Sequence, residues 1–390
     1  MKGMYEKKII ENNSSYIVHL EHYSSIDMLR IIACLFVIII HVMTGDLINS
    51  SIDWQALTIH CIVADAVAIF FSITGFLWFR YDRSYKSILL NFGRKIAVPT
   101  IITVIVSQVF YKWINSTSWT FTVDLLSIPD LNAILNGIFQ HNTGLWNDLS
   151  DIYWYVLEYA FICLWFPAIK AIVSNKNGER IILAVIFWTS LNLLIRDGLL
   201  VLSTIGIDYP LYTYTPVSIP VIMVLVGYIM FKRIQYISFK CSLKLSVFIY
   251  IFLIMMRILL QGILYKYKLT QMVFVRYDCG LSIFTVFSLY VLIWNINLSK
   301  YAFLSGILGF ISRQTFTIYL IHYMIVRKLN AVGILEMIKI KINQIFPDCL
   351  TILYDLIAAI LVFGLSLLIS CVLSVIFGEM KNCWNKRNIV

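Results

Sequence analysis

Residues 26–42 read IDMLRIIACLFVIIIHV, apolar at almost every position except for Asp27, Arg30 and His41. A membrane span takes about 20 mostly apolar residues to cross a ~30 Å hydrocarbon core. Ionisable side chains inside such a span are costly and usually line a cavity or a relay. Arg30 and His41 are eleven positions apart, which is three helical turns plus roughly 20°, so both leave nearly the same face. Helix rise separates them by about 16 Å along the axis. Arg30 is then expected at the cytoplasmic interface and His41 in the outer half of the bilayer. Spacing alone fits an anchoring arginine and a packed histidine equally well.

The rest of the chain matches this first helix. Of 390 residues, 60% are hydrophobic and 13% charged, and mean hydropathy is +0.83. Soluble domains carry about 25% charged residues, so the solvent for most of this chain is lipid. The net charge of +10 is spread in short basic clusters between apolar runs, a topology signal and not a nucleic-acid footprint. Period-2 patterning is absent, and backbone groups in lipid must be satisfied within the segment. The expected fold is therefore an all-α membrane protein of about ten spans, near 26–45, 58–79, 95–114, 152–173, 180–200, 212–231, 243–264, 273–294, 311–329 and 351–377. Residues 296–310 are apolar but short and read as an interfacial helix. The domain division is a tail at 1–25, a membrane domain at 26–378 and a tail at 379–390.

Orientation follows from the basic loops. With the N-terminus inside, Lys2, Lys7, Lys8, Arg80, Arg83, Lys86, Arg94, Lys95, Lys170, Lys176, Arg180, Lys232, Arg233, Lys240, Lys244, Lys381, Lys386 and Arg387 fall on one side. Asp46, Asp53, Asp124, Asp130, Asp148 and Asp151 fall on the other, with Lys266, Lys268, Lys339 and Lys341 as mild exceptions. Both termini are expected in the cytoplasm. The longest outer loop runs over about 115–150, with Trp113, Trp119 and Trp146 suited to an interface. From the polar start, a cleavable signal peptide is not expected. The eight cysteines have no CxxC spacing and mostly lie in apolar runs, as buried small hydrophobes do. His60 with Cys61, and His19 with His22, lack further ligands at metal-site spacing, and no metal is expected. Walker, Rossmann and HExxH motifs are absent. Asp65, Arg257, Arg276, Asp278, Arg313 and Asp355 lie in apolar segments, and buried pairing is the economical reading for most of them.

Arg30, ten residues and His41, preceded by Ile26-Asp27, resemble the first helix of the acyltransferase-3 family of membrane-bound acyltransferases. Further stretches resemble that family in the same order. They are IFFSITGFLWF (69–79), RKIAVP (94–99), YWYVLEYAFICLWFP (153–167), VGYIMFK (226–232) and QTFTIYLIH (314–322). Thr315 stands where many relatives have serine, and Glu158 lies at a different offset from Trp154 than the family glutamate, so it is given no role. The esterase-like domain that follows the membrane part in many larger relatives is not expected here.

The resemblance implies acyl transfer from cytoplasmic acyl-CoA, a co-substrate and not a bound cofactor, to a hydroxyl of a surface saccharide or its lipid-linked precursor. Acetyl is the expected acyl group, and the implied location is the bacterial inner membrane. His41 is then a general base for the attacking hydroxyl, or briefly the acyl carrier, with the base preferred. His322, one turn after Tyr319 on a shared face, is the second catalytic candidate. Arg30 is expected to fork onto the anionic donor's phosphates, with Arg80, Arg83, Arg94 and Lys95 beside it. Asp27, Tyr319 and Trp154 are supporting residues. The rival reading is a polysaccharide flippase or exporter, which needs neither the Arg30–His41 register nor the basic cluster. Repeat-built transporters also show internal two-fold similarity, which this sequence lacks.

Overall fold

The apolar runs become helices. A computed structural model describes residues 23–43, 52–80, 83–127, 153–203, 217–267, 272–347 and 350–387. Several residues that carry the sequence expectations lie outside these, among them Lys2, Lys7, Lys8, His19, His22, Asp46, Asp130, Trp146, Asp148, Asp151 and Lys268. The helices are α1 (Ser24–Val42), α2 (Trp54–Val63), α3 (Ala66–Trp78), α4 (Tyr85–Phe92), α5 (Val98–Val109), α6 (Tyr111–Ile114), α7 (Trp154–Ser174) and α8 (Gly178–Ser203). They continue as α9 (Ile219–Lys240), α10 (Leu243–Lys266), α11 (Ser282–Asn295), α12 (Ala302–Ala331), α13 (Ile334–Ile345) and α14 (Leu350–Arg387).

Each expected span overlaps a helix or a helix pair. Eight of these, with α2–α3 and α4–α5 each counted once, are long and apolar enough to cross a membrane. The other two expected spans fall on α9, whose apolar run is cut by Lys232 and Arg233, and on the short α11. The protein is an all-α, multi-pass membrane protein.

Burial sorts the helices into a centre and a rim. The most apolar window of Trp54–Trp78 is 72% buried, while that of Tyr85–Val109 is 17% buried. Large apolar side chains such as Phe161, Trp165, Phe187, Phe248 and Phe252 face outward from the rim, as lipid-facing residues do. At the centre α3 crosses α9 at backbone contact. A Cβ on Gly75 would overlap the Val224 carbonyl, and one on Gly227 would overlap that of Ser72. Lipid gives helices no hydrophobic drive to associate, so small residues that let backbones approach supply the contact energy. α1 lies against α12, α3 and α14.

Two expectations are corrected. Residues 296–310 do not form a separate interfacial helix. Asn297 is left-handed (φ 52°), Leu298–Lys300 makes one 3₁₀ turn, and α12 then runs without a break from Ala302 to Ala331. The expected span at 273–294 begins in irregular backbone, because α11 starts only at Ser282. The first part of that stretch is a loop pinned by buried polar side chains. Among the intramembrane charges, Asp65 pairs with Arg257 at 2.7 Å and Arg276 with Asp278 at 3.0 Å. Asp355 is fully buried, and neither carboxylate oxygen has a hydrogen-bond partner among the described residues. Cys34, Cys61, Cys163 and Cys279 are free and buried.

Candidate active site

The helical register of α1 puts Arg30 and His41 at the two ends of one face. At the first end, Arg30 Nη1 donates to Ser312 Oγ of α12 at 2.8 Å. Asp27, one turn earlier, approaches the same nitrogen at 3.7 Å. These contacts use part of the guanidinium and leave the rest lining a cavity of about 530 Å³. Arg83, Lys95 and Arg313 also line it, with Trp78, Pro99, Tyr155, Tyr159 and Phe316 among the other walls. Four cations thus face the cavity, and none of its described lining residues is an aspartate or glutamate. Such a surface suits a polyanion.

The basic residues expected together separate here. Arg83 and Lys95 reach the cavity, while Arg80 and Arg94 do not line it. The Arg80 guanidinium lies over the Tyr23 ring, 4.6 Å from its centroid. Arg94 and Lys95 sit in one π-helical turn, Gly93–Ala97, just before Pro99. Proline has no N–H and its ring crowds the carbonyl four residues back. The wider turn accommodates it, with the Val98 N–H bonding to Gly93 O, and rotates the side chains at 94 and 95 relative to α5. Arg94 and Lys95 are both exposed, and Lys95 borders the cavity. π-bulges of this kind recur at functional sites.

At the other end of α1, His41 lines a second cavity of about 250 Å³. His60, Trp154, Arg276 and Tyr277 face it together with Val37, Val63 and Val67. Tyr319 borders both cavities. His41 and His322 bring their ring centroids to 5.2 Å, and the Tyr323 ring lies 5.0 Å from His41. His322 is fully buried and does not line the second cavity. Its Nδ1 lies 2.6 Å from the Tyr319 carbonyl oxygen. A carbonyl only accepts, so Nδ1 carries the proton and Nε2 keeps a lone pair. That Nε2 is buried with no hydrogen-bond partner among the described residues.

Sequence reasoning missed Arg313 in the first cavity and His60, Arg276 and Tyr277 in the second. Arg313 sits one residue before the QTFTIYLIH stretch, but neither it nor the others belongs to a local pattern that marks a site. Trp154, expected only as a supporting residue, is a wall of the second cavity and stacks on Tyr277 at 5.7 Å and 17°. Thr315 lines the first cavity, and its hydroxyl donates to Ser312 O at 2.8 Å. No group of three or more His, Cys, Asp or Glu side chains among the described residues is arranged to hold a metal ion.

An all-helical membrane bundle with a cation-lined cavity at one end of a helix and an imidazole pair at the other suits a group-transfer enzyme better than a scaffold. Comparison with protein families matches residues 23–377 to acyltransferase-3, described as an acyltransferase domain. The chain belongs to this family and is a multi-pass membrane acyltransferase. No curated protein and no solved structure matches it.

Proposed function

We propose that this protein transfers an acyl group, acetyl, from cytoplasmic acyl-CoA to a hydroxyl of a surface saccharide or its lipid-linked precursor, in a bacterial inner membrane. The observation that carries this reading is the pair of cavities that share Tyr319 as a wall, one cationic and one holding His41. Arg30, Arg83, Lys95 and Arg313 grip the donor's phosphates. The pantetheine arm then covers a distance like the ~16 Å of helix rise between Arg30 and His41 and brings the thioester past Tyr319. His41 takes the proton of the acceptor hydroxyl as its oxygen attacks the thioester carbonyl. The C–S bond breaks, the thiolate leaves, and the proton returns to sulfur to give free CoA. The lone pair on His322 Nε2 has no partner among the described residues, lies beside His41 with the ring centroids 5.2 Å apart, and becomes the acceptor for an N–H of the His41 imidazolium during the step.

Mass spectrometry of the surface glycan from cells with and without the gene tests the reading. The expected result is one acyl group lost from each modified unit in the deletion strain. A glycan that is truncated or missing, with no acyl difference, would overturn it in favour of a transporter.

A further inference from the structure

Residues 272–281 are irregular backbone between two apolar helices. At membrane depth such backbone survives only where protein satisfies it or it lines a cavity, and this loop does both. The Gln261 Oε1 of α10 accepts the N–H groups of Val273 and Phe274 at 3.1 and 2.8 Å. Arg257, also on α10, donates to the carbonyls of Phe274 and Arg276 at 2.7 and 2.9 Å. On α8, the Asp197 carboxylate accepts Gly280 N–H at 2.6 Å and Arg196 donates to the Asp278 carbonyl at 2.9 Å. Arg257 and Gln261 are fully buried and Asp197 nearly so. Polar side chains on apolar helices are costly, and here four of them converge on one loop and fix its shape.

The loop delivers Arg276 and Tyr277 to the cavity that holds His41. Arg276 spends Nε and Nη2 on Asp278, both at 3.0 Å, which sets the plane of its guanidinium and leaves Nη1 for a ligand. Tyr277 and Trp154 stack on each other beside it, with ring centroids 5.7 Å apart and planes 17° apart. The remaining walls are apolar, among them Val37, Val63, Val67 and Val275, apart from His60 and Tyr319, which add two polar groups. A sugar ring has an apolar C–H face and a rim of hydroxyls, the complement of this lining. At about 250 Å³ the space suits one ring and not an extended chain.

We infer that this cavity is the acceptor subsite and seats a single hexopyranose. The C–H face of the ring lies against the Trp154 side of the Trp154–Tyr277 stack, Arg276 reads its hydroxyls, and the hydroxyl to be acylated points at His41. The inference rests on the proposed function.

The test uses the full chain in nanodiscs, radiolabelled acetyl-CoA as donor and a panel of methyl hexopyranosides as acceptors. Acceptor KM, kcat and donor Kd are measured for Trp154→Ala, Trp154→Phe and Arg276→Gln. A hydrogen bond from a charged group is worth enough that Arg276→Gln should raise acceptor KM about tenfold or more, with donor Kd unchanged. Trp154→Ala should do the same, and Trp154→Phe should recover most of the loss. Donor binding at wild-type strength certifies the fold. If Trp154→Ala loses it, Trp154→Phe and Arg276→Gln decide. Acceptor KM unchanged in the variants that bind donor, while the wild type transfers, overturns the subsite alone. A wild type that acylates neither the panel nor the host's surface glycan overturns the functional reading itself.

Discussion

Two arginines sit in membrane helices of this protein and do opposite work. Arg257 is fully buried and uses every nitrogen. Nε and Nη2 bond the carbonyls of Phe274 and Arg276, Nη1 pairs with Asp65 at 2.7 Å, and Thr285 and Ser282 lie within 3.4 Å. Arg30 has one hydrogen bond, to Ser312, and a longer approach to Asp27, with the rest of its fork turned into a cavity. A charge with all its partners is architecture. A charge with spare donors facing a cavity is free to take a ligand, which is the role proposed for Arg30. The histidine pair follows the same rule. His322 has its Nδ1 committed and its Nε2 open beside His41.

The largest effect expected falls on neither arginine. His41→Ala and His41→Gln should insert normally, bind donor and lose transfer by about 10²–10⁴-fold, the usual weight of a positioned acid–base group. Substantial acylation by either variant would remove His41 from the chemistry and leave the open lone pair of His322 without a task. Next comes Arg257→Ala, which strands Asp65 in the interior and frees the 272–281 loop. Losing one member of a buried pair costs about 3–5 kcal/mol, so thermal unfolding in detergent should drop clearly. An unchanged Tm would break the contrast between the two arginines.

Arg30→Ala should leave stability nearly intact and weaken acyl-CoA binding about tenfold to a hundredfold, from about 1.5–3 kcal/mol for a charge-assisted bond. Arg30→Lys should recover part of it, since lysine offers a point charge and not a planar fork. Wild-type donor affinity in Arg30→Ala would end the division of labour along α1. The smallest effect belongs to Arg80→Gln. It gives up a cation–π contact with Tyr23 worth about 0.5–1 kcal/mol and should leave donor affinity unchanged. A tenfold loss there would show that the donor reaches past the described cavity.

Much of this was legible before any coordinates. Hydropathy placed a helix at every expected span, because a lipid-facing helix must be apolar along its length whatever its neighbours are. The 3.6-residue period put Arg30 and His41 on one face, and it put His322 next to Tyr319. The loop at 272–281 was not legible. VFVRYDCG reads as the start of a span by apolar content, and of the buried groups that hold it Asp197 comes from 83 residues away, while Arg257 and Gln261 come from the preceding helix. The split between Lys95 and Arg94 was equally hidden, since it depends on which side of the Gly93–Ala97 turn the distant walls of the cavity pack against.

The sequence by itself determined the solvent, the helices and the two-ended first helix, since each depends on side-chain chemistry repeated within one segment. Tertiary structure decided which cations share a cavity, that Tyr319 stands between two chambers, and that Trp154, Arg276 and Tyr277 meet opposite His41. The physical reason is range. Helix propensity and hydropathy act over a few turns, whereas a cavity is the space left when distant helices stop at backbone contact, as α3 and α9 do at Gly75 and Gly227.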